Sequence, residues 1–355
     1  MVLMGGQPRK IFAVKNVNYL NFNIKNPIII LLVGLVCILS SCSDQRKANQ
    51  DVNKGNDTTL TSTPHQQIPD ESEWQAPDTS SIPKDGHGAL IRYGRDLVAN
   101  TAKYFGPKGK VNHFANGMNC QNCHLNAGTT LYANSYSAVF ANYPKLRPRS
   151  GTVENLEKRI NDCMERSMNG QKLDTMSKEM RAMVAYINWV GKDVEKGVVP
   201  KGASVIDLPW LERAADVTKG ELAYKKSCII CHGSHGQGIL KGDSITYLYP
   251  PLWGPNSYNT GAGMYRLSRL AGYIKYTMPY QASHTVKPAL TDEEAWDIAA
   301  YINSQQRPEK AFASDWPDIS KKPVDHPFGP YADAFSETQH KYGPYKEIIA
   351  ARTKN

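Results

Sequence analysis

Two short motifs constrain this chain more than any other feature: Cys120-Gln121-Asn122-Cys123-His124 and Cys228-Ile229-Ile230-Cys231-His232. Two thiols three positions apart, with a histidine directly after the second, form the attachment signature of c-type haem. The thiols reach the two vinyl groups, and the histidine then faces the iron. Structural zinc would need further cysteine or histidine pairs, and none sits near either motif.

The sequence around the motifs repeats loosely. Each half has a helical pattern, a motif, a long irregular stretch and a final helix. The final helices echo each other as Ala185-Tyr186-Ile187-Asn188 and Ala300-Tyr301-Ile302-Asn303. The first carries Met180, Met183, Val184, Ile187 and Val190 at helical spacing and stops at Gly191. Met176, Met180 and Met183 read as a core stripe. The second opens on a capping box, Thr291 with Glu294, and stops before Pro308. No strand-like alternation persists for long. The expected fold is therefore all-α, with two tandem cytochrome c domains over 86–200 (haem 1) and 210–310 (haem 2). Gly197 to Pro209 forms the link between them. The tail 311–355, rich in proline, glycine and aromatics, reads as an extended segment lying across both.

Residues 1–42 read as a lipoprotein signal peptide. Arg9, Lys10, Lys15 and Lys25 precede an apolar run from Ile28 to Leu39. That run is too short for a bilayer, which needs roughly 20 residues, but suits a signal-peptide core. Leu39-Ser40-Ser41-Cys42 resembles a lipobox, making Cys42 the acylated residue; the alternative is an ordinary signal peptide with an incidental cysteine. The stretch 43–85 is polar and proline-containing, too poor in apolar side chains to offset its ordering entropy, and reads as a disordered tether. The expected location is the bacterial periplasm or cell envelope, lipid-anchored.

The formal charge is +9, or about +5 without the four basic residues of the leader. This mild excess suits small anions or an acidic protein partner. No dense basic block interleaved with aromatics appears, so nucleic acid is a poor candidate.

Of seven cysteines, Cys37 and Cys42 belong to the leader and four to the motifs, leaving Cys163 without a partner. Arg159, Cys163 and Ser167 are spaced by four and share one helical face. The pattern places their helix after Ser150-Gly151-Thr152, with Val153, Leu156 and Ile160 on its apolar face and Gly170 at its end. A free cysteine is usually a small buried hydrophobe; beside an arginine, thiolate character becomes the alternative. Spacing alone leaves open whether Cys163 ligates haem 1. For haem 2, Met264, Met278, His235, His284 and several lysines compete. Met278 lies late in its domain, before Pro279 and ahead of the last helix, as the ligand of single-haem cytochromes c does. A thioether there makes an electron-transfer site.

Arg159-Ile-Asn-Asp-Cys163-Met-Glu-Arg-Ser167-Met-Asn-Gly170, with both motifs in order, resembles the dihaem thiosulfate dehydrogenases. The first domain is similar to the catalytic subunit of the Sox thiosulfate-oxidising cytochromes. The resemblance covers roughly Gly86 to Tyr345. It implies His124/Cys163 ligation of haem 1, with Cys163 also the catalytic nucleophile, and His232/Met278 ligation of haem 2. It implies anion binding by Arg149, Arg159 and Ser167. The family reaction joins two thiosulfates into tetrathionate, or runs in reverse, and exchanges electrons with a soluble or membrane cytochrome c. Some members place a lysine immediately before the methionine; here that position is Thr277, and Lys275 is displaced. A Sox-type sulfur-group transferase and a plain electron-transfer dihaem cytochrome are the competing expectations.

Overall fold

The computed structural model describes residues 73–280 and 289–353. The leader with Cys37 and Cys42, the tether as far as residue 72, and the ligand candidate His284 lie outside the described residues. Among the described residues, no helix is long and apolar enough to cross a membrane.

In the first half, α1 (Gly86–Ala99) starts at Asp85, whose carboxylate accepts the Gly88 amide at 2.8 Å. It buries Ile91, Gly94, Leu97 and Val98 along one stripe. After α2 (Thr101–Phe105) the chain passes through the first motif into an irregular turn, α3 (Leu125–Gly128), where Asn126 and Ala127 take φ of 52° and 55°. Next come α4 (Val139–Asn142) and an antiparallel hairpin, β1 (Lys145–Arg147) paired with β2 (Thr152–Glu154). Two longer helices follow, α5 (Leu156–Arg166), capped by Asn155, and α6 (Lys178–Val190), capped by Ser177 and ended by Gly191.

The second half repeats the plan. α7 (Val217–Ser227) runs into α8 (Ile229–His232), which carries the second motif. A small pair, β3 (Ile239–Leu240) with β4 (Tyr247–Tyr249), precedes α9 (Leu267–Thr277) and α10 (Asp292–Ser304). The capping box forms in both directions: the Glu294 amide donates to Thr291 Oγ1 at 3.1 Å, and the Thr291 amide to Glu294 Oε2 at 2.8 Å.

The repeat is a packing repeat. α1 crosses α6 and α7 crosses α10, each at a glycine. A Cβ on Gly94 would stand 1.9 Å from the Ala182 carbonyl oxygen, and one on Gly220 1.8 Å from that of Asp297. The neighbouring contact is the Cβ of Tyr186 in one crossing and of Tyr301 in the other. The echoed Ala-Tyr-Ile-Asn segments are thus the faces that receive the two glycines. Each half buries its own core, around Phe105, Met164, Met180 and Tyr186 in the first and around Tyr224, Trp296, Ile298 and Ile302 in the second. Leu125, Ala133, Val205 and Tyr273 make a smaller apolar cluster joining the two.

Five sequence expectations change in detail. Met176 is 73% exposed, so the core stripe is Met180 and Met183 only. Ser150-Gly151-Thr152 and Val153 belong to the hairpin, because Gly151 takes φ +67° there, and the helix, with Leu156 and Ile160 buried but without Val153, waits for the Asn155 cap. At the other end Asn169, not Gly170, takes the left-handed position, while the Gly170 amide donates to the Met164 carbonyl at 2.9 Å. The folded body begins before Gly86, since Ile82 is buried and Trp74 packs on the first core. The tail is irregular only as far as Ser336, where α11 (Glu337–Tyr342) and then α12 (Lys346–Thr353) form; Tyr345 and Ile348 enter the second core.

Candidate functional site

A cavity of about 280 Å³ opens in the first half, and the first motif and Cys163 meet in its wall. Cys120, Cys123 and His124 line one part; Arg159, Cys163 and Ser167, all from one face of α5 and its cap, line another. Methionines 118, 164, 168 and 183 and Tyr136 add a soft apolar lining. The sequence-assigned face of α5 is therefore the face turned to the motif.

His124 is oriented by its backbone surroundings. Its Nδ1 lies 2.6 Å from the Asn134 carbonyl oxygen, so Nδ1 carries the proton and donates, leaving Nε2 free to ligate. Asn134 itself sits at φ +53°, which turns that carbonyl towards the ring. The second motif repeats the device: His232 Nδ1 lies 2.9 Å from the Pro250 carbonyl oxygen.

The three thiols in the cavity differ in electrostatics. Burial pushes Cys120 up to about 11 and Cys123 up to about 12. Burial also pushes Cys163 up, but the Arg159 guanidinium and His124 more than offset it and draw the thiol down to about 7. Arg159 Nη1 donates to Cys163 Sγ at 3.1 Å. In turn, the Cys163 sulfur raises the Arg159 pKa above its ordinary value.

Arg149 is placed differently from Arg159 and Ser167: its guanidinium donates to the Gly261 carbonyl at 3.1 Å and lies 5.6 Å from the Trp316 ring. It lines a separate hollow of about 150 Å³ with Glu154, Lys158, Asp162 and Asp315. Arg147, two residues earlier and at the end of β1, lines the Cys163 cavity together with Lys145, on the same face of the strand. Sequence reasoning missed Arg147. The available signal was the alternation Lys145-Leu146-Arg147, but a three-residue strand was not legible.

In the second half, His235 is exposed. Lys275 is committed elsewhere, to the Leu290 carbonyl at 2.7 Å and Asp292 at 2.7 Å. Met264 and Met278 both stay partly buried and pack against the second core and the joining cluster. Met264 Sδ also lies 3.9 Å from Asn134 Nδ2, beside the residue that orients His124. Among the described residues all five cysteines are free, as two thioether-linked haems and one further thiol require. Convergent thiols and a histidine held in the ligating tautomer fit a c-type haem in the first half; the second motif, with His232 held the same way, fits another.

The family model described as SoxA/TsdA, cytochrome c domain, matches residues 110–195, and the cytochrome c family model matches 217–306. The chain therefore carries two cytochrome c domains and, with its two motifs, two c-type haems. It is 38% identical over 244 residues to a thiosulfate dehydrogenase of Psychrobacter arcticus, covering 68% of this chain and 71% of that protein. It is 37% identical to a thiosulfate dehydrogenase of Allochromatium vinosum, covering 69% of this chain and 88% of that one. A solved thiosulfate dehydrogenase (TsdBA) from Marichromatium purpuratum matches with a TM-score of 0.62 at 32% identity; the match covers 72% of this chain and 52%, about half, of that longer chain.

Proposed function

From the membership of this chain in the thiosulfate dehydrogenase family, we propose that it is a dihaem cytochrome joining two thiosulfates into tetrathionate at Cys163. The observation that carries this reading is the hydrogen bond from Arg159 to Cys163 inside the cavity of the first haem motif. His124 and Cys163 would hold the first haem, and His232 with Met278 the second. When bound, the haems accept electrons one at a time and pass them to an external cytochrome c.

The chain's residues handle the charge and the sulfur. Thiosulfate is a dianion, so two of them repel as they approach. Arg159 and Arg147 line the same cavity and offer planar forks for sulfonate oxygens. The Ser167 hydroxyl adds a neutral donor, one turn beyond Cys163. The Cys163 thiolate bonds to the outer sulfur of the first thiosulfate, giving an S-thiosulfonate as two electrons leave. A second thiosulfate attacks the cysteine-bound sulfane sulfur, releasing tetrathionate and restoring the thiolate. Covalent catalysis divides one encounter of two dianions into two steps. Arg149, on the turn just beyond Arg147, is a further candidate for the anion, and its guanidinium also braces the hairpin by donating to the Gly261 carbonyl. The reverse reduction uses the same groups, its direction set by the haem potentials.

Export and lipid attachment at Cys42 complete the proposal, supported by the basic lead-in, the short apolar run and Leu-Ser-Ser-Cys; membrane fractionation of producing cells tests it. Turnover is tested anaerobically, with purified holo-protein, an artificial electron acceptor and tetrathionate quantified. Stoichiometric tetrathionate is expected. Cys163→Gly should keep both haems attached yet abolish turnover; substantial residual activity would sink the cysteine mechanism.

A further inference from the structure

The hairpin that brings Arg147 to the cavity is too small to hold itself in place. It has three residue pairs, and its two mid-strand side chains, Leu146 and Val153, are 65% and 68% exposed. An isolated two-stranded hairpin is marginal at best. Its position must come from what it leans on, and that is the C-terminal tail. The Trp316 amide donates to the Arg149 carbonyl at 2.6 Å, and the Arg149 guanidinium lies over the Trp316 ring. Pro317 presses against the turn so closely that a Cβ on Gly151 would stand 2.7 Å from its Cγ. One residue earlier, Asp315 takes both Nη atoms of Arg166 at 2.8 Å each. Arg166 is the last residue of α5, directly before Ser167, and its guanidinium lies 3.5 Å from the Phe312 ring.

Three successive tail residues therefore grip both elements that supply the cavity's cations. Trp316 does so with φ +61°, an unusual conformation for a bulky residue, tolerated where the surroundings over-determine it. We propose that Asp315 and Trp316 are positioning residues for the anion site: they lock the β1–β2 turn to the end of α5 and so hold Arg147 in register with Arg159. Neither reaches the Cys163 cavity, so their effect falls on binding of the anion and not on the sulfur chemistry. The inference rests on the reading of that cavity as the thiosulfate site.

The test is steady-state kinetics of the full-length holo-protein carrying Trp316→Ala, Trp316→Phe, Asp315→Asn or Arg147→Ala, each checked for two haems per chain. Displacing a binding group by about an ångström costs up to two orders of magnitude. Trp316→Ala is expected to raise the thiosulfate KM about tenfold with kcat within about twofold, and Trp316→Phe to recover most of the loss. A purely structural role would lower active protein without this split. If Trp316→Ala does not accumulate with both haems, Asp315→Asn, nearly isosteric, carries the test with a KM rise of about threefold. An unchanged KM, or a loss in kcat alone, overturns the clamp. Arg147→Ala separates the two readings: if it raises KM and the tail variants do not, the clamp fails and the cavity stands. If Arg147→Ala leaves KM unchanged, the cavity assignment fails and takes the clamp with it.

Discussion

At the scale of single residues, the first-half site depends on which sulfur is left reactive. Cys120 and Cys123 sit in surroundings that disfavour their thiolates, whereas Arg159 makes the Cys163 thiolate stable in the same cavity. That asymmetry suits two sulfurs destined for thioether bonds and one kept for exchange. The guanidinium matters as a fork, because it donates to Cys163 and has further N–H groups for an incoming sulfonate. Arg159→Lys keeps the charge and loses the fork. A hydrogen bond to a charged group contributes about 1.5–3 kcal/mol, so kcat/KM for thiosulfate should fall roughly tenfold to a hundredfold. Steady-state kinetics with an artificial acceptor measures it, and an unimpaired lysine variant would leave Arg159 only an electrostatic role.

At the scale of elements, both halves are held by the same helix crossing. Gly94 and Gly220 let α1 and α7 approach α6 and α10 until backbone meets backbone. A methyl group at either position has no room, since the atom it meets is a carbonyl oxygen of the opposite helix. Overpacking of a filled contact costs about 1–3 kcal/mol. Gly220→Ala should therefore lower the melting temperature of the holo-protein, and Gly220→Val lower it further. Calorimetry or denaturant titration followed at the haem absorbance tests this; an unchanged midpoint would mean the helices separate freely.

At the scale of the whole molecule, the tail binds the parts together. Besides its grip on the hairpin, it supplies Asp325, which is 1% exposed and accepts from Arg266 Nε at 2.9 Å and from the Ser268 amide at 3.1 Å. Asp333, His340 and Arg352 form a second knot, with His340 Nε2 2.8 Å from Asp333 and Arg352 Nε 2.8 Å from it. Burial pushes the Asp325 carboxyl up, yet Arg266 and Ser268 outweigh it and leave it below the ordinary carboxylate value. The depressed folded-state pKa means that this contribution is present above the unfolded carboxylate pKa. It is lost as pH falls through the folded value. Asp325→Ala removes the partner of a mostly buried arginine and should cost about 3–5 kcal/mol, with much of the wild-type advantage gone in acid. Denaturation of both proteins at neutral and acid pH checks the sign.

The bare sequence shows the two haem motifs, the all-α repeat, the helix caps at Thr291 and Gly191, and the shared face of Arg159, Cys163 and Ser167. These are local: a motif, a periodicity of 3.6 and a capping side chain act within a few residues of one another, so spacing alone carries them. It also supported family membership, because the Cys163 helix and both motifs lie within one continuous stretch. That Arg147 lines the cavity follows from contacts far apart in the chain. Arg147 and Arg149 are two residues apart, and both remain on one side of a strand until a turn and a distant tail fix the pairing and the tilt of the hairpin. That placement rests on Trp316 and Pro317, more than 150 residues away in the chain. Contacts of such separation leave no periodic trace, so neither the hairpin nor its brace could be read before the chain was folded.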